Sequence, residues 1–91
     1  MKLIFSPTFI RASKRLFKKD VRFSGSVRET LKLLETDIFH PILKTHKLKG
    51  KLEGRWACSV AYDLRIVFKI VSFEKNEAIL LLTIGTHDEV Y

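Results

Sequence analysis

Two apolar runs in the last third of the chain, Leu64–Phe73 and Glu77–Ile84, constrain the fold more than any other feature. Both are rich in Ile, Val, Leu and Phe. They are too short to span a membrane and of the right length for strands. The stretch between them, around Glu74-Lys75-Asn76-Glu77, is short and polar, so the pair is predicted to be an antiparallel hairpin. A third strand, Arg55–Val60, precedes Ala61-Tyr62-Asp63 and is expected to pair with the Leu64 strand as a meander. Chemically capable side chains gather at the ends of this sheet. His46 and a lysine run precede it, Asp63 and Arg65 lie within it, and His87 and Tyr91 follow it.

Upstream, Lys2–Phe5 reads as a short strand and Ser6-Pro7 as a helix start. Serine caps free amides, and proline loses nothing in a first turn. Phe9, Ala12, Leu16 and Phe17 then recur at helical spacing to about Lys19, with Arg11, Lys14, Arg15, Lys18 and Lys19 on the other faces. Ser26 and Glu29 stand at capping-box spacing, and Val27, Leu31, Leu34 and Ile38 continue a second amphipathic helix. It should end near Asp37–His40, because Pro41 disfavours helix at His40. The order β-α-α-β-β-β predicts an α+β fold, a helical hairpin packed on a mainly antiparallel twisted sheet, forming one domain over residues 1–91.

Strand alternation puts Leu64, Ile66, Phe68 and Ile70 on one face and Arg65, Val67, Lys69 and Val71 on the other. In the last strand it sets Ala78, Leu80, Leu82 and Ile84 against Ile79, Leu81 and Thr83. Both faces are largely apolar and one helical hairpin covers one face, so the other is expected to be a groove or docking surface that contains Arg65.

The net charge of +7 and pI of about 9.8 point to a polyanionic or acidic partner. One cysteine, Cys58, excludes an internal disulfide and suits a reducing compartment. There is no long apolar span and no signal-peptide h-region at Met-Lys-Leu-Ile-Phe-Ser-Pro, so a cytoplasmic location is expected. The histidines lack zinc-ligand spacing and a single cysteine cannot complete a site, so no metal or other cofactor is expected.

Three strings, His46-Lys-Leu-Lys-Gly50, Tyr62-Asp-Leu-Arg-Ile-Val-Phe68 and Ile84-Gly-Thr-His-Asp-Glu-Val-Tyr91, resemble the RelE/ParE toxin superfamily. Within it the chain is most similar to YafQ-like and RelE/StbE-type mRNA interferases of type II toxin–antitoxin pairs. That resemblance implies a small, metal-independent endoribonuclease that cuts mRNA in the ribosomal A site and is inhibited by an antitoxin wrapped around it. It also implies site positions. His46, Asp63, His87 and Tyr91 fill places of the YafQ-like site, Ser59 stands where a second histidine is expected, and Leu64 stands where an aromatic is expected. Arg65 matches the strand arginine of RelE itself, and Lys47, Lys49 and Lys51 match its loop lysines; Lys44 and Arg55 extend this basic set towards RNA.

The residue types suit that chemistry independently. RNA cleavage without a metal needs a base for the 2′-hydroxyl, cations for the phosphorane charge and an acid for the leaving 5′-oxygen. Histidine titrates in the useful range, arginine binds phosphate bidentately, and tyrosine stacks on bases. Duller readings stand beside these: exposed histidines at 46 and 87, a turn-forming Asp63, a frayed Tyr91, a packing Trp56 and a buried Cys58. Two further functions share the fold, a ParE-type gyrase poison and a catalytically degenerate antitoxin-binding module. In every case an acidic protein segment that folds on binding is expected as a partner.

Overall fold

The computed structural model describes residues 1–91. Strand β1 (Lys2–Phe5) leads into helices α1 (Pro7–Lys19) and α2 (Phe23–Thr36). Strands β2 (His46–Lys47), β3 (Trp56–Ala61), β4 (Leu64–Phe73) and β5 (Asn76–Gly85) follow, and a single turn of helix, α3 (His87–Val90), ends the chain. The five strands form one sheet in the order β1-β5-β4-β3-β2. β1 runs parallel to β5 and every other pair is antiparallel. The expected α+β architecture is therefore the observed one, with two additions: the two-residue edge strand β2 and the turn α3.

Local chemistry explains the helix boundaries. The Ser6 hydroxyl accepts the Phe9 amide at 3.0 Å to cap α1 and donates to the Leu82 carbonyl at 3.2 Å, which ties the cap to the sheet. Lys18 and Lys19 sit in the last turn of α1, where cations favour the exposed carbonyls. The second helix departs from expectation. It starts at Phe23, ahead of Ser26, and the Ser26–Glu29 box does not form. Asp20 organises the connection instead, accepting from the amide and guanidinium of Arg22 at 2.8–3.2 Å. With the turn into α2 fixed there, residue 26 lies inside the helix, and its carbonyl accepts the hydroxyl of buried Thr30.

The helical hairpin covers one face of the sheet. Phe9, Val27 and Leu34 from the helices, with Leu43, pack on Cys58, Leu64, Ile66, Phe68, Ile79, Leu81 and Ile84. Burying a residue of the size of Phe68, wholly inaccessible here, contributes enough that truncation to alanine costs about 3–5 kcal/mol. The face assignment for β4 holds. In β5 it fails beyond Leu81: Val67 pairs with Thr83 and Phe68 with Leu81, so Leu82 is an unpaired bulge residue. The extra residue resets the alternation and turns Ile84 to the same side as Ile79 and Leu81. The expected apolar groove is displaced as well. On the open face Ala57, Val67 and Ala78 are covered by their neighbours. The most apolar concavity lies on the helix side, lined by Phe5, Phe9, Ile10, Phe17, Val27 and Leu31.

The β4–β5 hairpin closes through Glu74-Lys75, with φ of 50° and 68°. Two consecutive positive φ angles define the type I′ turn that matches strand twist, a geometry for which Asn-Gly is the favoured pair. Replacing Glu74-Lys75 by Asn-Gly should relieve this strain and stabilise the fold by about 1 kcal/mol, raising Tm by about 4–8 °C. Thermal unfolding of the double variant is the check, and an unchanged Tm would show that the turn stores no such strain.

Candidate active site

The candidate residues are set out by the sheet register. On the open face, His46 pairs with Ala57, Ala57 with Val67 and Val67 with Thr83, which makes one row across four strands. The next row is Ser59, Arg65 and Gly85. His46 and Arg65 thus share a face two inter-strand steps apart, about 10 Å laterally. The turn Tyr62-Asp63 and the C-terminal turn α3 rise at the end of the second row.

Arg65 does two things at once. Its Nη1 donates to the carbonyls of Ala61, Tyr62 and Leu64 at 3.0, 3.1 and 3.2 Å, so it braces the β3–β4 turn from inside. The Nε–H and Nη2 edge has no protein partner, which leaves the two-pronged side of the guanidinium open to an oxyanion. Asp63, in that turn, accepts the His87 amide at 3.3 Å. Its two sequence readings thereby converge: it is a turn residue, and it fixes the first residue of α3.

α3 is set by a capping box. The Thr86 hydroxyl accepts from the Glu89 amide at 3.3 Å, and the Glu89 carboxylate accepts from the Thr86 amide at 2.8 Å. These bonds, with Lys19 and Arg15 of α1 nearby, hold the Glu89 carboxyl below its usual range. The stability this adds is present above about pH 4.5 and lost as pH falls through the lowered value. The His87 ring meets Tyr91 edge-on with centroids 4.5 Å apart. Tyr91 is therefore packed, not frayed. Partial burial pushes its phenol up, and neighbouring Arg65 offsets part of that shift. Sequence reasoning passed over Thr86, Glu89 and Gly85, although the Thr-x-x-Glu spacing of a capping box was visible there.

His46 is exposed and its Nδ1 lies 2.9 Å from the Lys44 carbonyl. A carbonyl can only accept, so Nδ1 carries the proton and neutral His46 presents the lone pair of Nε2. The third histidine, His40, accepts the Ile42 amide at its Nδ1, a capping role that removes it from the site.

The basic residues split between the two faces. Lys44 is exposed, in a left-handed conformation beside His46. Lys47 pairs with Trp56, one step along the ladder from the His46–Ala57 pair, so it points to the opposite side, with its Nζ 5.4 Å from the Trp56 ring. Lys47, Lys49, Arg55 and Trp56 line a groove of about 850 Å³ beside Glu53 and Glu77. Lys51 is exposed in the helical turn Gly50–Leu52 that borders it. Trp56 itself packs partly against the core and edge-on to Phe39 at 5.5 Å.

Cys58 is fully buried and burial pushes its thiol up to about 12, so it is no nucleophile. No group of three or more His, Cys, Asp or Glu side chains comes together.

The architecture, a two-helix layer on one face of a five-stranded sheet, is that of the RelE/YafQ-type toxins. The family model described as "Bacterial toxin of type II toxin-antitoxin system, YafQ" matches residues 1–91, and the chain belongs to that family. YafQ from Escherichia coli BL21(DE3) superposes with a TM-score of 0.80 at 18% identity, covering 99% of this chain and 97% of the other. A metal-bound toxin from Helicobacter pylori has a TM-score of 0.76 at 26% identity over 100% and 99% of the two chains. In a YoeB–YefM complex from Staphylococcus aureus the corresponding values are 0.72, 20%, 96% and 97%. No curated protein matches the chain. The protein is thus a toxin of the YafQ family of type II toxin–antitoxin systems.

Gly85 sets the distance between α3 and the sheet. A Cβ there would lie 3.0 Å from Glu89 Oε1 and 3.2 Å from a Val90 methyl. Gly85→Ala should push α3 outward at a cost of about 1 kcal/mol. Loss of the His87–Tyr91 ring contacts in NMR spectra, with the rest of the spectrum unchanged, is the expected result.

Proposed function

We propose that this toxin is a metal-independent endoribonuclease that cuts mRNA, in the ribosomal A site, through attack of the 2′-hydroxyl on the adjacent phosphate. The observation that carries this reading is the Arg65 fork: one nitrogen is spent on the turn and its other edge is free, on the face that also holds His46 and beside the turn whose Asp63 anchors the His87 amide. Family membership and the basic surface support it.

In this mechanism His46 Nε2 takes the 2′-hydroxyl proton and the 2′-oxygen bonds to phosphorus. Arg65 binds the phosphorane charge through its Nε and Nη2 edge, while His87 protonates the departing 5′-oxygen. The products are a 2′,3′-cyclic phosphate and a 5′-hydroxyl. Tyr91 acts on His87 by holding its ring edge-on. Asp63 is the group that anchors the His87 backbone. Lys44, Lys47, Lys49, Lys51 and Arg55 supply sequence-independent attraction for the phosphate backbone. A cognate antitoxin, an acidic segment that orders on binding, is the expected protein partner, and the cytoplasm the expected location.

Two experiments test this. Induced expression of wild type should arrest growth and produce codon-registered mRNA 5′ ends by primer extension, and His87→Ala should abolish both. Arrest without cuts would replace cleavage by gyrase poisoning, and no arrest would leave an antitoxin-binding module. Single-turnover rates should fall by about 10²–10⁴ for His46→Ala or His87→Ala, within the range for a lost acid or base. Tyr91→Ala should give a smaller loss with an unchanged Tm, because the residue lies outside the core.

A further inference from the structure

The β3–β4 turn carries a residue that the cleavage chemistry leaves unused. Tyr62 is 98% exposed, the most exposed of the large hydrophobic side chains. A lone exposed aromatic is ordinary on a protein surface. This one differs in where it stands and how it is held. It occupies the tip of a two-residue turn whose carbonyls at Ala61, Tyr62 and Leu64 all accept from Arg65 Nη1. Its neighbour Asp63 bonds to the amide of His87. Neither Tyr62 nor Asp63 takes a positive φ, and the one-residue register shift between Ser59 and Ala61 supplies the twist that closes the turn. The backbone beneath the ring is therefore fixed between the Arg65 fork and the start of α3.

We propose that Tyr62 is a base-stacking residue for RNA, receiving the face of an unpaired base next to the phosphate held by Arg65. The inference rests on the ribonuclease reading above and adds a contact to it. A tyrosine ring has only two torsions to order, so on a braced backbone it can stack on a base at low entropic cost. Every base has a π-face, so such a platform adds affinity and orientation while tolerating sequence. The geometry also explains the three bonds from one Arg65 nitrogen. They hold the backbone that carries Tyr62 beside the phosphate fork, within reach of a base whose phosphate the fork binds.

The test is equilibrium binding of a fluorescein-labelled oligoribonucleotide with 2′-deoxy substitutions that block attack, read by anisotropy. Tyr62→Ala and Tyr62→Leu should weaken binding by roughly five- to hundredfold, the range for one lost stack. Tyr62→Phe should bind as wild type does. The slope of log Kd against log salt should stay as in wild type for all three, whereas Lys44→Ala should reduce it. An unchanged Kd for Tyr62→Ala, or full affinity for Tyr62→Leu, would overturn the stacking contact and leave the proposed function standing. Absence of binding to the free oligoribonucleotide by wild type would remove the stacking contact, and the growth-arrest and primer-extension experiment would still decide the proposed function. Tyr62 touches no core residue, so equal Tm values for the variants confirm that a loss of binding is local.

Discussion

The pairing of β4 with β5 is the interaction on which the rest of the molecule depends. Its register runs from Arg65–Gly85 to Phe73–Asn76. Its covered face supplies Leu64, Ile66, Phe68, Ile79, Leu81 and Ile84, more than half of the buried apolar cluster. The helices pack on that face, β1 adds to the free edge of β5, and β3 adds to the free edge of β4. Without the bulge at Leu82, Ile84 would leave the core and every residue beyond it would change face. Gly85, Thr86 and α3 are aimed by that one extra residue.

The candidate site is a consequence of where this sheet ends. Two chain segments far apart in sequence, the β3–β4 turn and the C-terminal turn, emerge side by side because Arg65 and Gly85 are register partners. A single hydrogen bond from the His87 amide to Asp63 joins them. The site is thus held mainly by backbone groups and short side chains, while the reactive nitrogen and oxygen atoms stay near solvent. This economy places little strain on the core, and it concentrates sensitivity in a few small residues such as Gly85 and Thr86.

Charge is distributed by the same alternation. His46 and Lys47 are adjacent in sequence and opposite in direction, so one faces the open surface and the other covers Trp56. The basic loop therefore serves two surfaces. The Glu89 carboxylate, by contrast, is committed to its own cap, where it accepts the Thr86 amide.

The fold class was legible from the sequence because period-two and period-3.6 patterns record which side of each element meets the core. The Ser6-Pro7 start, the hairpin, the buried Cys58 and the separation of Ile66 and Phe68 from Arg65 all follow from local patterning. The candidates His46, Asp63, Arg65, His87 and Tyr91 rest instead on residue type, which suits acid–base and phosphate chemistry, and on the resemblance to YafQ-like toxins. Tertiary structure alone decided three matters. The Leu82 bulge depends on pairing with a neighbouring strand, so alternation within β5 could not reveal it. The start of α2 was set by Asp20 and Arg22 in the preceding turn, overriding a capping-box spacing that was present but unused. The convergence of Asp63 on His87 and of Tyr91 on the same ring is a property of register between distant segments. A linear pattern encodes which way a side chain faces, and only the packed sheet determines what it faces.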